Sequence, residues 1–295
     1  MVLGYVFSQV NASYGGGLSV VEHASPKSMR DWMAALPDHK TLADYSLPGT
    51  HNTCALYNGY AFGFAKCQSW TLKEQLQRGV RFLDIRCRHM RDSLQIYHGP
   101  IRQRMSFANV LDTCVSFLQE NPTECIVISI KEEHHATGNS RDFKTTFLAD
   151  VIKGGKDLWR IQSTIPQLKA VRGKWVLVDR VGDLGGIPWS AFMKQDDYRA
   201  PPDLKAELIR EQFDNTAHHA SNTRPWFINF CSGVYPSRLI TPRQYALQAN
   251  KAASLYIKER SSQATGPFLL GTVMMDFPSH AMIQQVIYSN FAPPK

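Results

Sequence analysis

The chain has 295 residues, 43% apolar and 20% charged, enough to bury one large core; no linker, repeat or low-complexity tract divides it. No run approaches the roughly 18 apolar residues of a membrane-spanning helix. A net charge of +8 points to anionic partners or simply to solubility; the lack of a nucleic-acid motif or dense Lys/Arg stripe argues against nucleic acid, so a partner would be an anionic membrane or a phosphorylated substrate.

Residues 1–28 read as an N-terminal arm, and 29–295 as a single domain. The apolar start "MVLGYVFSQV" lacks a basic n-region, so it is either a loose arm or the remnant of an export signal. Asn11-Ala12-Ser13 matches a glycosylation sequon, meaningful only in a eukaryotic secreted protein. A first strand is expected with Ala43, Tyr45 and Leu47 on one face; the turn chemistry of Pro48-Gly49 ends it, and His51 follows. The next segment, "YNGYAFGFAKCQSW", carries Tyr57, Tyr60, Phe62, Phe64 and Trp70 among glycines and reads as an aromatic loop.

"TLKEQLQRG" offers a capping box, Thr71 with Glu74, a Leu72/Leu76 stripe and a closing Gly79. The β-rich runs "VRFLDIRCR" and "SLQIYHG" follow. A helix fits "SFANVLDTCVSFLQENP", with Phe107, Val110, Leu111, Cys114 and Leu118 on its buried face. "ECIVISIKEEHH", "KWVLVDR", "WFINFCSG" and "FLLGTVMMD" are further β-rich runs, and Thr241-Pro242 starts a late helix. Near-continuous apolar strands alternating with helices imply a parallel sheet covered on both faces. Seven or eight such strands predict an α/β fold, a distorted and incompletely closed (β/α)8 TIM-type barrel.

The six cysteines include no C-x-x-C pair, which argues against a zinc ribbon. Cys54 and Cys67 flank a loop and are the expected disulfide pair, while Cys87, Cys114 and Cys125 read as buried thiols. His134-His135 and His218-His219 lack metal-ligand spacing and read as surface histidines.

The strand ends carry the chemistry. His51 follows the first strand, and Asp84 and Arg86 end the second. His98, Lys131, Asp179-Arg180, Asn229 and Asp276 end later ones, and in such a barrel these ends meet at one mouth. Two histidines with a cationic cluster suit phosphodiester cleavage by an internal hydroxyl. One imidazole removes the attacking proton, the other protonates the leaving oxygen, and the cations stabilise the growing charge. The rival is a calcium site built from Asn52, Asp84, Asp276 and Glu132 or Glu133. Arg86 shares a strand face with Asp84, and Lys131 ends another candidate ligand strand, so two fixed cations oppose a divalent ion.

"LPGTHNT", "GVRFLDIRCR", "LQIYHGP", "ECIVISIKEE", "KQDDY" and "TVMMDFP" resemble, in order and spacing, the bacterial phosphatidylinositol-specific phospholipases C of the X-domain family, from about Trp32 to the C-terminus. The resemblance implies a secreted, metal-independent lyase that converts phosphatidylinositol to diacylglycerol and a cyclic inositol phosphate, and then slowly hydrolyses the cyclic product. His51 would be the general base and His98 the general acid. Asp276 would pair with His51, Asp84 would support His98, and Arg86 would contact the phosphate. Lys131, Arg180, Asp196 and Tyr198 match inositol-binding positions. Asn52 departs from the pattern: the bacterial enzymes usually carry an aspartate that supports the arginine, and the calcium-dependent relatives carry asparagine. The expected cofactor is none, with calcium as the alternative. The expected partner is phosphatidylinositol in an anionic bilayer, with no obligate protein partner. Tyr60, Phe62 and Phe64 are the expected membrane contacts.

Overall fold

The computed structural model describes residues 26–219 and 225–292. The opening decapeptide, the sequon and most of the expected N-terminal arm lie outside the described residues. By Trp32 and Met33 the chain is already within the core.

Among the described residues eleven strands form one sheet. They are β1 (Leu47–Thr50), β2 (Phe82–Met90), β3 (Ser93–His98), β4 (Ile101–Ser106), β5 (Ile126–Glu132), β6 (Trp159–Arg160), β7 (Trp175–Asp179), β8 (Ile187–Pro188), β9 (Phe192–Gln195), β10 (Trp226–Cys231) and β11 (Thr272–Met275). The order β6-β7-β5-β2-β1-β11-β10-β9 is parallel throughout, with β8 beside β7 and β3-β4 as an antiparallel branch from β2. Among the described residues no pairing joins β6 to β9, so the barrel is incompletely closed.

Among the described residues six α-helices accompany the sheet: α1 (Leu72–Gln77), α2 (Phe107–Glu120), α3 (Phe143–Lys153), α4 (Pro202–His218), α5 (Pro242–Gln263) and α6 (His280–Tyr288). The Thr71/Glu74 capping box starts α1 as expected, and matching boxes start α2 (Ser106/Asn109) and α5 (Thr241/Gln244). β5, β7, β10 and β11 run through the centre; Ile126–Ile130 and all of Trp175–Asp179, Trp226–Cys231 and Thr272–Met275 are buried. That explains why these strands read as continuous rather than alternating apolar runs.

Two expectations are corrected. Residues 42–44 form a 3-10 turn rather than strand, and Pro48-Gly49 lie inside β1 instead of ending it. Proline is tolerated because Leu47 and His51 donate to β11, at Gly271 O and Met275 O, so position 48 faces the β2 side. Pairing with β2 begins only at Gly49–Phe82, and no ladder bond is lost. Gly49 is needed for close packing: a Cβ there would lie 2.4 Å from Met274 Sδ and 3.1 Å from Phe82 Cβ. The second correction is that Cys54 and Cys67 form no disulfide; both are buried free thiols, and Cys67 Sγ is directed at His98 Nδ1, 3.8 Å away.

Candidate active site

Strand register brings the site together. Thr50 pairs with Leu83 on β2 and with Met275 on β11, so the next residue, His51, falls between Asp84 and Asp276. Arg86 pairs with Lys131, and Ile130 pairs with Asp179, which sets Arg180 one step beyond the same edge. Residues distant in sequence thus share the C-terminal mouth of the sheet.

His51 Nδ1 lies 2.9 Å from Asp276 Oδ1, and Asp276 is 1% exposed. The Nδ1–H donating to that carboxylate leaves the Nε2 lone pair to act as a base. Gln68 fixes the turn by donating through Nε2 to His51 O (2.8 Å) and Met275 O (2.9 Å). The Phe230 ring lies edge-on to His51 at 6.1 Å between centroids.

His98 ends β3 across the mouth, its ring 6.4 Å from that of His51 and nearly perpendicular to it. Its Nδ1 donates to Ala65 O at 3.0 Å. Burial holds His98 below the ordinary histidine value, and His51 and Arg86 push the same way against the favourable Ala65 carbonyl.

Asp84 is the electrostatic centre. It receives Arg86 Nε at 3.1 Å, Arg180 Nη1 at 3.1 Å and the Asn52 N–H at 3.0 Å. Burial alone would raise its pKa, but Arg86 and Arg180 outweigh it and hold the carboxyl below the usual range. The Thr53 hydroxyl accepts the Asp84 N–H at 2.8 Å, so β2 also anchors the turn behind His51. Asp84 was expected to support His98; it instead orients Arg86, Arg180 and the His51 turn, because the β2 register points it at the cations.

Asn52 is the second departure. It adopts positive φ (43°), which asparagine tolerates, and its Nδ2 sits 3.2 Å from His51 Nε2 instead of reaching Arg86. Support for Arg86 comes from Asp84 and, 3.9 Å away, from Glu133. Glu133 also accepts the Gly99 N–H (2.8 Å) beside His98 and faces Lys131 Nζ (3.3 Å). Arg180 lies 4.2 Å over the Trp189 ring. Gln68, Glu133 and Trp189 had no role in the sequence reading as positioning groups; no periodicity or spacing marks them.

Asp196 and Tyr198 follow β9 on the opposite rim, both exposed. Desolvation against the mouth pushes the Asp196 carboxyl up, while nearby His51, Lys205 and Arg180 pull it down. Two other strand-end groups are structural. Asp179 caps the loop after β7 by accepting from Val181, Gly182, Leu184 and Gly185, and Asn229 donates to Ile209 O of α4.

The aromatic loop lies between the two histidines' supports: Cys67 N–H donates to Ala55 O, Ala65 O receives His98, and a Gly59 Cβ would lie 2.9 Å from Ile101 Cγ2. Its tip is exposed, Tyr60 at 72% and Phe62 at 90%, whereas Phe64 is half-buried. Leu239, in the loop before α5, is 75% exposed, and a Gly63 Cβ would lie 2.9 Å from Thr241 Cγ2, so the two loops adjoin.

The calcium alternative fits these residues poorly. Asp84 is saturated by guanidinium and amide donors, Asp276 holds His51, Glu133 faces Lys131 and Arg86, and Asn52 is turned to His51. The chemistry available is general acid–base catalysis beside an anion-stabilising cluster.

An open parallel barrel with two opposed histidines and three cations at its C-terminal mouth has the architecture of a phosphodiester-cleaving enzyme. Residues 39–181 match the family model "Phosphatidylinositol-specific phospholipase C, X domain". The "1-phosphatidylinositol phosphodiesterase" of Listeria monocytogenes is 33% identical over 283 residues, covering 88% of this chain and 85% of the relative. The Staphylococcus aureus protein of the same name is 27% identical, covering 91% and 97%. The solved structure of the Listeria phospholipase superposes with a TM-score of 0.77 at 30% identity, over 89% of this chain and 99% of that one. The solved structure of a double mutant of the Staphylococcus aureus phosphatidylinositol-specific phospholipase C gives 0.80 at 25% identity, over 91% and 99%. This chain belongs to the phosphatidylinositol-specific phospholipase C family.

Proposed function

We propose that this chain cleaves phosphatidylinositol to diacylglycerol and a cyclic inositol phosphate without a metal ion. The observation that carries this reading is the His51–Asp276 pair facing His98 across a mouth lined by Arg86 and Arg180. His51 Nε2 takes the proton of the inositol 2-hydroxyl, whose oxygen attacks phosphorus. Arg86 stabilises the charge gathering on the phosphoryl oxygens. His98, protonated at Nε2, gives its proton to the departing diacylglycerol oxygen. The phosphate anion favours the imidazolium form that burial otherwise disfavours. Slower hydrolysis of the cyclic product reverses the two roles, with water as the nucleophile. Asn52 Nδ2 must yield its contact with His51 Nε2 as the sugar hydroxyl enters. Lys131, Arg180, Asp196 and Tyr198 line the rim as the inositol-binding set.

The site is proposed to work extracellularly on an anionic bilayer, met through Tyr60 and Phe62, with Phe64 beneath them. The exposed rings beside the mouth and the +8 charge support this; no helix among the described residues is long and apolar enough to cross a membrane. Turnover of phosphatidylinositol in excess EDTA, then with added calcium, tests the proposal. Undiminished cyclic inositol phosphate in EDTA is expected. Activity only with calcium would overturn the metal-free assignment, and none in either condition would leave an inositol-lipid binder.

A further inference from the structure

Behind the catalytic base lies a group that the reaction does not use. Cys67 is fully buried and held by its backbone, its N–H donating to Ala55 O (2.9 Å) and its carbonyl accepting from Phe277 N (3.0 Å). One donor atom each from His51, Cys67 and Asp276 lie within 4.8 Å of one another. Asp276 is 1% exposed, and its Oδ2 has no hydrogen-bond partner, which is costly for a buried carboxylate oxygen. An imidazole nitrogen, a sulfur and a carboxylate oxygen form a donor set for borderline-soft ions and not for calcium or magnesium, which prefer oxygen shells.

We propose that His51, Cys67 and Asp276 bind a thiophilic divalent cation, Zn2+ or Cd2+, and that its occupation switches the enzyme off. Tetrahedral zinc with bonds of about 2.0–2.3 Å sets its donors roughly 3.4–3.8 Å apart. The 2.9 Å contact between His51 and Asp276 therefore opens on binding, while Cys67, within 4.8 Å of both, adjusts to the same spacing. Coordination releases the Cys67 proton to solvent. The imidazole stays neutral, carrying its hydrogen on the nitrogen that is not ligated, and a water fills the fourth position. Thiolate and carboxylate together balance the ion's two charges, which offsets repulsion from Arg86. The ion takes Asp276 away from His51 and blocks the general base. Inhibition in this sense rests on the function proposed above; binding itself does not.

The test separates the two. Cadmium is titrated into the purified enzyme and followed by ultraviolet cadmium–thiolate charge-transfer absorption and by calorimetry. In parallel, zinc and cadmium are titrated into an assay on soluble cyclic inositol phosphate, which avoids metal binding to lipid. The expected result is one equivalent bound with a thiolate band, inhibition in step with binding, and reversal by EDTA. Cys67→Ala should lose the band and, read against its own metal-free rate, weaken inhibition by at least roughly 10–100-fold, the loss already typical of outer-shell partners. His51→Ala, read by binding alone, should weaken cadmium comparably, which guards against poor folding of the cysteine variant and against the five other buried thiols. A missing thiolate band, or unchanged affinity in both variants, would overturn the site. Binding without inhibition would overturn the switch while leaving the site.

Discussion

Replacing Asp276 with asparagine isolates what the buried carboxylate contributes. It holds His51 Nδ1 at 2.9 Å and is 1% exposed, so solvent screens the pair little. Two opposite unit charges about 4 Å apart attract by roughly 4 kcal/mol at an effective dielectric of about 20. That attraction exists only once His51 has taken the substrate proton, so it stabilises the transition state and not the resting enzyme. At about 1.4 kcal/mol per tenfold, Asp276→Asn should lower turnover on the order of 10³-fold. The amide can also donate toward Nδ1, which favours the tautomer with hydrogen on Nε2, where a lone pair is needed. Stability should change little, within about 1 kcal/mol, because the resting pair is a neutral imidazole beside a carboxylate that already lacks one hydrogen bond. Single-turnover rates on soluble cyclic inositol phosphate and a melting curve measure both quantities. A loss below tenfold with an intact melting temperature would refute the role given to Asp276.

Further outcomes follow from the same geometry. His51→Ala and His98→Ala should each cost on the order of 10²–10⁴-fold in rate with the fold intact, and near-normal turnover in either would end the two-histidine assignment. Because burial lowers His98 and the mechanism needs it protonated, kcat/KM should fall as pH rises through that depressed value; His98→Ala should lose this alkaline limb from its residual activity. For stability the sign is opposite: the unfolded chain binds this proton more readily, so the fold gains stability as pH rises from the depressed value to the ordinary one, measurable by denaturant melts. Asp84→Asn leaves two guanidiniums without their shared carboxylate and should destabilise by about 3–5 kcal/mol, with turnover lost as well; a melting temperature within a degree or two of wild type would contradict the clamp. Replacing Tyr60, Phe62 and Phe64 with serine should weaken vesicle binding and bilayer turnover while sparing soluble substrate. Equal loss on both substrates with a lowered melting temperature would show that the loop supports the site and does not meet the membrane.

What the sequence determined by itself was local. Capping at Thr71 depends on a residue three away, the helix start at Thr241 on the proline beside it, and the buried runs in β5, β7, β10 and β11 on unbroken apolar stretches, so all were legible as pattern. The polar residues ending those runs announced the mouth for the same reason. Short segments were not legible: β6 and β8 are two residues each, and α3 and α4 present mixed faces, so packing rather than periodicity defines them. Nor could pattern say which strand end meets which. Proline inside β1 is tolerated only because β2 pairs from Gly49 onward, and Asp84 serves the arginines and the His51 turn because the β1–β2 and β2–β5 registers aim it there. Cys67, Gln68 and Glu133 sit in or beside loops where one residue's neighbours are unrelated to its sequence position. Their partners, His98 and Asp276, Met275, and Arg86 with Gly99, come from other segments, and only closure of the barrel brings them within bonding distance.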